Sequence, residues 1–295
     1  MRVLLAGASG LIGSTLTASL RGSGHEVRPL VRRAPRGPGE IEWHPDRHEL
    51  PVDALDGIDA VVCLSGAPLQ PRPPTTGYKQ QLLSSRVDTV GTLADAIAAR
   101  PERRPALIAA SAVGYYGDKG EADVDESSLP GTDFFAEICW QWEAAADPAR
   151  AVGARVVSLR SGIVLARKGG LLKTLRPIVW LGLAGRQGSG RQFQPWIALT
   201  DEVAAIRFLL DSDLSGPVNL TAPNPARNAE LMSAVAKAMH RPALLPVPAF
   251  VLRPVLRELA PGLLGGQRAL PVRLTEAGFR FRYPELDAAL RATLG

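Results

Sequence analysis

Three glycines near the start of the chain have the spacing of a loop that binds the diphosphate of a dinucleotide. Gly7, Gly10 and Gly13 form a GxxGxxG pattern between the apolar run RVLLA and a helical pattern. In such a loop the first glycine permits a tight turn, the second lets the backbone approach the phosphates, and the third lets the helix pack close to the strand. The helix N-terminus adds free N–H groups and a partial positive charge. The predicted cofactor contacts from this loop are Gly7, Ser9, Gly10, Leu11, Ile12 and Gly13.

The end of the second predicted strand favours NADP over NAD. About 20 residues after the glycines, an NAD site places Asp or Glu against the ribose 2′-hydroxyl. This chain instead has Arg32 and Arg33, with no acid beside them. A guanidinium can bind a 2′-phosphate through two parallel hydrogen bonds. We therefore expect NADP(H) as the cofactor, although a solvated loop could also carry these two arginines.

A second loop follows the apolar run AVVCL at 60–64. It contains Ser65, Gly66 and Ala67, and it ends at Pro68. Ligands of open α/β sheets bind at the carboxyl ends of the strands, and small residues there let a nucleotide lie over the backbone. Ser65, Gly66 and Ala67 are therefore predicted to contact the cofactor, while turn formation alone would also explain Gly66 and Pro68.

Buried strands and helices alternate through the first 166 residues. Apolar runs predict strands at 2–6, 25–31, 41–45, 60–64, 106–111 and 154–159, and helical patterns lie at 11–21, 77–99 and after Asp133. This alternation is typical of βαβ units and a parallel, doubly wound sheet. The predicted fold class is α/β, with a Rossmann-like doubly wound parallel sheet and a smaller C-terminal substrate lobe.

The alternation weakens after residue 166, where Gly-rich and Pro-rich turns become frequent. We predict a nucleotide-binding domain over 1–166, with parts of 200–221 returning to it, and a smaller lobe over 167–295 whose tail begins at about 245. The elements expected in this half are helices near 200–211, 228–239 and 249–260 and a strand near 217–220.

Composition excludes several classes of protein. The chain has 295 residues, of which 46% are hydrophobic and 21% charged, as in globular proteins rather than disordered ones. Two cysteines and four histidines without HExxH spacing argue against a disulfide scaffold or a metal site. No apolar run could span a membrane and no signal cleavage site is evident, so we expect a cytoplasmic protein with no membrane partner. The pI is about 9.5, but the basic residues are scattered, which argues against a nucleic-acid partner.

Together these motifs resemble the extended short-chain dehydrogenases/reductases of the epimerase/dehydratase branch. The segments that carry the resemblance are the glycine loop, LSGAP, ASAVGYYG at 110–117, LRSGIVL at 159–165 and PWIALTDEV at 195–203. The tail segments GGQRALP at 265–271 and EAGFRFRYP at 276–284 resemble epimerase-family proteins that carry an added C-terminal domain. The resemblance implies a Rossmann fold that binds a nicotinamide cofactor, with Ser161 and Gly162 among its contacts.

The chemistry of that superfamily needs a Ser, a Tyr and a Lys. Ser111, at the end of a predicted strand, matches the Ser that orients the substrate oxygen. The Tyr-x-x-x-Lys pair belongs on the next helix, where both residues share one face, but that helix contains neither. Tyr115 and Lys119 have the spacing, yet they lie in a Gly-rich segment where it carries no geometric meaning. Tyr115 and Tyr116 instead resemble a loop tyrosine beside the substrate, or they pack across the loop.

Residues of the second half could contact the substrate. Arg191 and Gln192 could hold an anionic or polyol substrate, or face solvent, and Trp196 could wall a pocket or lie in the core. Glu143 matches a Trp-Glu pair of the family and is expected to form a buried ion pair. Asp201 is expected to cap the helix that follows it.

The predicted function is an NADP(H)-binding oxidoreductase or epimerase-like enzyme with a non-standard active site and a small-molecule substrate. Ser111 would orient the oxygen, and Tyr115 or Tyr116 would supply the proton. The alternative is a non-catalytic NADP(H)-sensing regulatory or binding protein, because such a protein would keep the glycine loop and lack the Tyr and Lys. Either would be a monomer or a homodimer.

Overall fold

A parallel sheet of seven strands forms the centre of the molecule, seen here in a computed structural model that describes residues 1–68, 75–101, 104–182, 185–242, 245–250, 254, 262 and 264–294. The strands are β1 (Arg2–Ala6), β2 (Glu26–Val31), β3 (Ile41–Glu42), β4 (Ala60–Cys63), β5 (Ala106–Ala112), β6 (Asp123–Val124), β7 (Val156–Ser161), β8 (Ile163–Leu165), β9 (Phe193–Gln194), β10 (Trp196–Ala198), β11 (Gly216–Leu220), β12 (Ala226–Arg227) and β13 (Arg268–Ala269). The order across the large sheet is β11-β7-β5-β4-β1-β2-β3. Strands β2 and β3 are added on one side of β1, and β4 is then placed on its other side. Open α/β sheets bind ligands at such a switch point in strand order.

Helices cover both faces of this sheet. They are α1 (Leu11–Gly22), α2 (Thr76–Ala98), α3 (Phe134–Ala144), α4 (Asp147–Ala151), α5 (Gly170–Trp180), α6 (Leu199–Asp211), α7 (Asn228–Ala238), α8 (Val272–Glu276) and α9 (Leu286–Leu294). Helices α1 and α6 pack on one face, and α2 and α3 pack on the other. Within the described ranges, no helix is both long and apolar enough to cross a membrane.

The alternating side chains of the central strands divide the core into two layers. In β1, Val3 and Leu5 face α1 and α6, while Leu4 and Ala6 face α2 and α3. All four side chains are fully buried. Because both faces of a parallel sheet are covered, its strands read as nearly continuous apolar runs, which is why the sequence predicts them.

The structure confirms most of the predicted elements and corrects the role of Asp201. Helix α6 begins at Leu199, so Asp201 lies inside its first turn rather than at the capping position. Its buried carboxylate accepts hydrogen bonds from the backbone N–H groups of Arg282 and Tyr283, at 2.8 and 2.9 Å. The helix predicted near 249–260 lies largely outside the described residues.

The C-terminal segment is tied to the sheet by hydrogen bonds. Strand β13 pairs with β6. The Asn219 side chain, on edge strand β11, donates to the Leu270 carbonyl at 2.9 Å, and the Thr221 hydroxyl donates to the Ala269 carbonyl at 3.1 Å. The tail therefore braces the edge of the sheet nearest to β7.

Candidate functional site

The glycine loop between β1 and α1 has no room for larger side chains. Gly7 has a φ of +86°, and a Cβ on it would lie 2.8 Å from the carbonyl carbon of Leu64. A Cβ on Gly13 would overlap the Gly7 carbonyl oxygen. These close approaches hold the start of α1 against the ends of β1 and β4, as the sequence pattern predicts.

The N-terminus of α1 is free to bind an anion. Its first residue is preceded by Gly10, and among the described residues no side chain caps it and no acid lies in its first turn. The first N–H groups of a helix lack intrahelical partners and carry partial positive charge. Ser9 is exposed beside them, and Leu11 and Ile12 are half-buried.

A cavity of about 580 Å³ continues from this helix N-terminus toward the end of β2. Its lining includes Gly7, Ala8, Ser9, Ser14, Thr17, Val31, Arg32, Arg33, Glu40, Trp43 and Ser65. The structure thus brings the glycine loop, the β2 arginines and Ser65 into one concave surface.

The two arginines after β2 have different surroundings. Arg33 donates to both oxygens of Glu40, each at 2.8 Å. These hydrogen bonds, reinforced by the Arg36 backbone N–H, lower the pKa of Glu40 to about 2. Arg32 is exposed and has no hydrogen bond or ion pair within the described part of the chain. Arg32 is therefore the guanidinium available to an added anion.

The loop at the carboxyl end of β4 is held by α2. The Ala67 backbone N–H donates to the Ser85 hydroxyl at 2.9 Å, and the Ala67 carbonyl accepts from the Arg86 guanidinium at 3.1 Å. A Cβ on Gly66 would lie 3.4 Å from the Arg86 Cγ. Gly66 and Ala67 therefore extend the surface beyond the cavity that Ser65 lines. No sequence motif pointed to Arg86.

Ser111, at the end of β5, belongs to a buried polar network with α3 and β7. Its hydroxyl donates to Glu143 Oε1 at 2.7 Å. Arg160 donates to the two Glu143 oxygens at 2.8 and 2.9 Å, which is the ion pair expected for Glu143. The side chains of Arg160 and Glu143 are only 3% and 12% exposed, so this is a desolvated pair with a fixed geometry.

The same network contains Tyr116 and leaves its phenol no access to a substrate. Tyr116 is 0% exposed. Its hydroxyl donates to Asn219 Oδ1 at 2.7 Å and accepts from Arg160 at 3.1 Å. Burial raises the pKa of Tyr116 to about 12, despite the opposing effect of Arg160. This placement argues against Tyr116 as the proton donor, and its role is in the core.

Tyr115 also packs on Arg160, whose guanidinium carbon is 3.4 Å from the centroid of the Tyr115 ring. Tyr115 is half-buried, and its hydroxyl makes no hydrogen bond with the described residues. Both tyrosines lie in a single 3₁₀ turn, Val113–Tyr116. Lys119 lies beyond that turn, and its backbone N–H donates to the Gly266 carbonyl, so Tyr115 and Lys119 do not share a helical face.

Helix α3 holds no replacement for the missing Tyr and Lys. Asp133 caps it by accepting from the N–H groups of Phe135 and Ala136 at 2.9 and 3.0 Å, and the helix follows Asp133 as the sequence predicts. Cys139 is buried, which raises the pKa of its thiol to about 12. A thiol of that pKa stays protonated near neutrality, so Cys139 is a filler of the core rather than a nucleophile.

Ser161 and Gly162 lie at the end of β7, beside the start of α6. The Ser161 hydroxyl donates to Glu202 Oε1 at 2.6 Å. Burial raises the pKa of Glu202 to about 8. Its second oxygen has no partner within the described residues. No motif in the sequence pointed to this buried carboxyl.

The three candidate substrate contacts do not share one surface. Trp196 is fully buried, and its indole N–H donates to the Asn224 carbonyl at 3.1 Å, so it belongs to the hydrophobic core beside α5 and α7. The Arg191 side chain is 80% exposed near Glu121. The Gln192 side chain donates to the Gln187 carbonyl at 2.9 Å. Arg191 remains the candidate for a contact with a ligand.

Comparison with known proteins gives full-length relatives. The chain is 46% identical to an epimerase family protein of Mycobacterium bovis over 98% of this chain and 96% of that protein. It is 40% identical to mouse epimerase family protein SDR39U1 over 99% of both chains. The crystal structure of human SDR39U1 (isoform 2) with NADPH is similar at a TM-score of 0.89 and 36% identity, and the match covers 100% of this chain and 99% of that chain.

Two family profiles divide the sequence between them. Residues 247–293 match a domain of unknown function, DUF1731. Residues 3–221, which include the glycine loop, the Ser111 network and β11, match the NAD dependent epimerase/dehydratase family. The chain therefore belongs to the NAD dependent epimerase/dehydratase family, and its C-terminal segment is a DUF1731 domain.

Proposed function

We propose that this chain binds NADP(H) along the carboxyl edge of its sheet and catalyses hydride transfer with a small-molecule alcohol or carbonyl substrate. The observation that carries the proposal is the uncapped N-terminus of α1, which opens into a 580 Å³ cavity lined by Arg32. The NADPH in the related human structure supports the choice of cofactor.

The residues present fit each end of such a cofactor. The first N–H groups of α1 would receive the diphosphate. Arg32, which has no other anion to bind in the described structure, would receive the 2′-phosphate. Ser65, Gly66, Ala67, Ser161 and Gly162 would line the remainder. When bound, the nicotinamide supplies the hydride acceptor or donor, and the protein supplies orientation and proton transfer.

The Ser111 network is arranged to accept a proton from a substrate hydroxyl. Because Ser111 donates its own proton to Glu143, its oxygen has lone pairs left for a substrate O–H. During alcohol oxidation the substrate proton would pass to Ser111 Oγ as the Ser111 proton passes to Glu143 Oε1. Carbonyl reduction would use the reverse path. Arg160 holds the carboxylate in place through two hydrogen bonds.

Of the two adjacent tyrosines, Tyr115 is the one whose phenol could contact the substrate. Its hydroxyl is uncommitted among the described residues, and the Arg160 guanidinium fixes its ring. In this mechanism Ser111 and Tyr115 touch the substrate, while Glu143 and Arg160 act through Ser111.

A sensing role is the second candidate function. It is favoured by the absence of Tyr and Lys from α3 and by the complete burial of the Tyr116 hydroxyl. A sensor would bind NADP(H) tightly and turn over no substrate.

The experiment that separates the two functions follows NADPH absorbance with a panel of carbonyl compounds and NADP⁺ reduction with a panel of alcohols. We expect slow turnover, and Ser111→Ala should lower kcat about 100-fold, a typical loss for one acid–base contact. Ser128→Ala, at a loop hydroxyl near β6, is the matched control. NADPH affinity should stay within about twofold in both variants. Tight NADPH binding with no turnover of any compound would support the sensor, and an unchanged rate in Ser111→Ala would contradict the proposed proton path.

A further inference from the structure

Arg86 on α2 is a half-buried cation with no acidic partner in the described ranges of the chain. Among the described residues its guanidinium donates to two backbone carbonyls, those of Leu82 at 2.8 Å and Ala67 at 3.1 Å. Its plane packs near Trp142 of α3, with the guanidinium carbon 5.0 Å from the ring centroid. In the part of the chain that the structure describes, no carboxylate lies within ion-pair distance of it.

This arrangement leaves most of the hydrogen-bonding capacity of Arg86 unused. A guanidinium has five N–H donors, and two of them have partners within the ranges that the structure describes. The guanidinium is partly desolvated, and this burial lowers the pKa of Arg86. A desolvated cation is costly without an anion or several acceptors. The free donors therefore suit an oxygen-rich group that is added to the protein.

The position of Arg86 indicates where that group lies. The 580 Å³ cavity extends from Arg32 to Ser65, and Gly66 and Ala67, which follow Ser65, pack on Arg86. Strands β4 and β5 are paired in parallel, with Cys63 opposite Ala109, so the 64–67 loop and Ser111 emerge at the same edge of the sheet. Arg86 is thus next to the loop that leads from the cavity toward Ser111.

We propose that Arg86 binds the nicotinamide half of the cofactor by donating to the hydroxyl oxygens of its ribose. Arg86 would thus supply, from α2, the positive charge that the missing Lys would have supplied from α3. The inference rests on the proposed function, because it assumes that NADP(H) lies along the 64–67 loop. Two carbonyls fix the guanidinium on one side, and its remaining N–H groups face the ligand. Arg86 would position the cofactor relative to Ser111 rather than transfer a proton itself.

The test compares two ligands by calorimetry: NADPH and adenosine 2′,5′-bisphosphate, which lacks the nicotinamide half. Arg86→Met removes the charge and the donors but keeps the packing of the side-chain stem. It should weaken NADPH binding about tenfold or more, as expected for lost hydrogen bonds to a charged group, and leave the affinity for the bisphosphate within about twofold. Arg86→Lys, which keeps the charge, should lose less NADPH affinity.

The control is Arg207→Met. Arg207 also donates to two oxygens, those of Ser19 and Ser23, but it lies near the end of α6 and should affect neither ligand. Equal weakening of both ligands by Arg86→Met would overturn the inference, since it would indicate general damage to the fold. Unchanged NADPH binding in Arg86→Met would also overturn it while leaving the cofactor site intact. If the unmodified chain bound neither ligand, the proposed function itself would fail.

Discussion

At the scale of single residues, the pair formed by Arg33 and Glu40 governs the charge around the proposed 2′-phosphate site. Glu40 lines the cavity, yet both of its oxygens are bound by Arg33. The carboxylate is thereby neutralised, and Arg32 is left as the unpaired charge. The sequence shows two adjacent arginines and cannot show that one of them is engaged by an acid seven residues later.

Arg33→Ala should therefore change cofactor choice through Glu40. The freed carboxylate loses the hydrogen bonds that lowered its pKa, but an ordinary Glu carboxyl is still ionised at neutral pH. It would therefore repel a 2′-phosphate and could accept a hydrogen bond from a 2′-hydroxyl. We expect NADPH affinity to fall about tenfold and NADH affinity to rise, as measured by calorimetry at low salt.

The double variant Arg33→Ala/Glu40→Gln serves as the control. Because it removes both charges, it should recover most of the NADPH affinity. A double variant that binds NADPH as weakly as Arg33→Ala would show that Arg33, rather than the neutralisation of Glu40, is what the cofactor needs.

At the scale of secondary-structure elements, the first turn of α6 carries two buried acids with different roles. Asp201 binds the tail backbone at Arg282 and Tyr283. Glu202 accepts from Ser161, and burial raises its pKa from 4.5 to about 8. The folded protein therefore binds a proton on Glu202 that the unfolded chain releases above about pH 4.5.

This difference predicts that stability falls as pH rises. Between pH 4.5 and about 8 the folded state binds more protons than the unfolded state at this site, so the free energy of unfolding decreases with pH across that window. Glu202→Gln keeps an acceptor for Ser161 and cannot ionise. Its Tm should exceed that of the unmodified chain at pH 8 by several degrees, because a pKa shift from 4.5 to about 8 corresponds to a few kcal/mol at that pH, and each kcal/mol changes Tm by roughly 2–4 °C in a chain of this size.

Thermal unfolding at pH 5 and pH 8 measures the effect. The two proteins should be close at pH 5 and differ at pH 8. A wild-type Tm that falls no more steeply with pH than that of the Gln variant would show that Glu202 is not protonated in the folded state.

At the scale of the whole molecule, the parts predicted from the sequence are those encoded locally. The strand AVVCL and the helix that follows Asp133 can be predicted because apolar runs and capping residues act on their neighbours in sequence. The polar network cannot be predicted in this way, because its partners are far apart in sequence. Tyr116 and Asn219 are separated by 103 positions, and Ser111 and Glu143 by 32. Such contacts arise only when β5, β7 and β11 lie side by side. The candidate site could therefore be predicted at its glycine loop but not at Arg86 or Glu202.

The central claim is that this fold binds NADP(H) and selects it over NAD(H) through Arg32. The most direct test is a calorimetric titration of NADPH and NADH into the full chain, into Arg32→Ala and into Arg36→Ala, an exposed arginine of the same loop. We predict that NADPH binds at least about tenfold more tightly than NADH, that Arg32→Ala removes most of this difference and that Arg36→Ala keeps it. Equal affinities for the two cofactors, or tighter binding of NADH by the unmodified chain, would contradict the account.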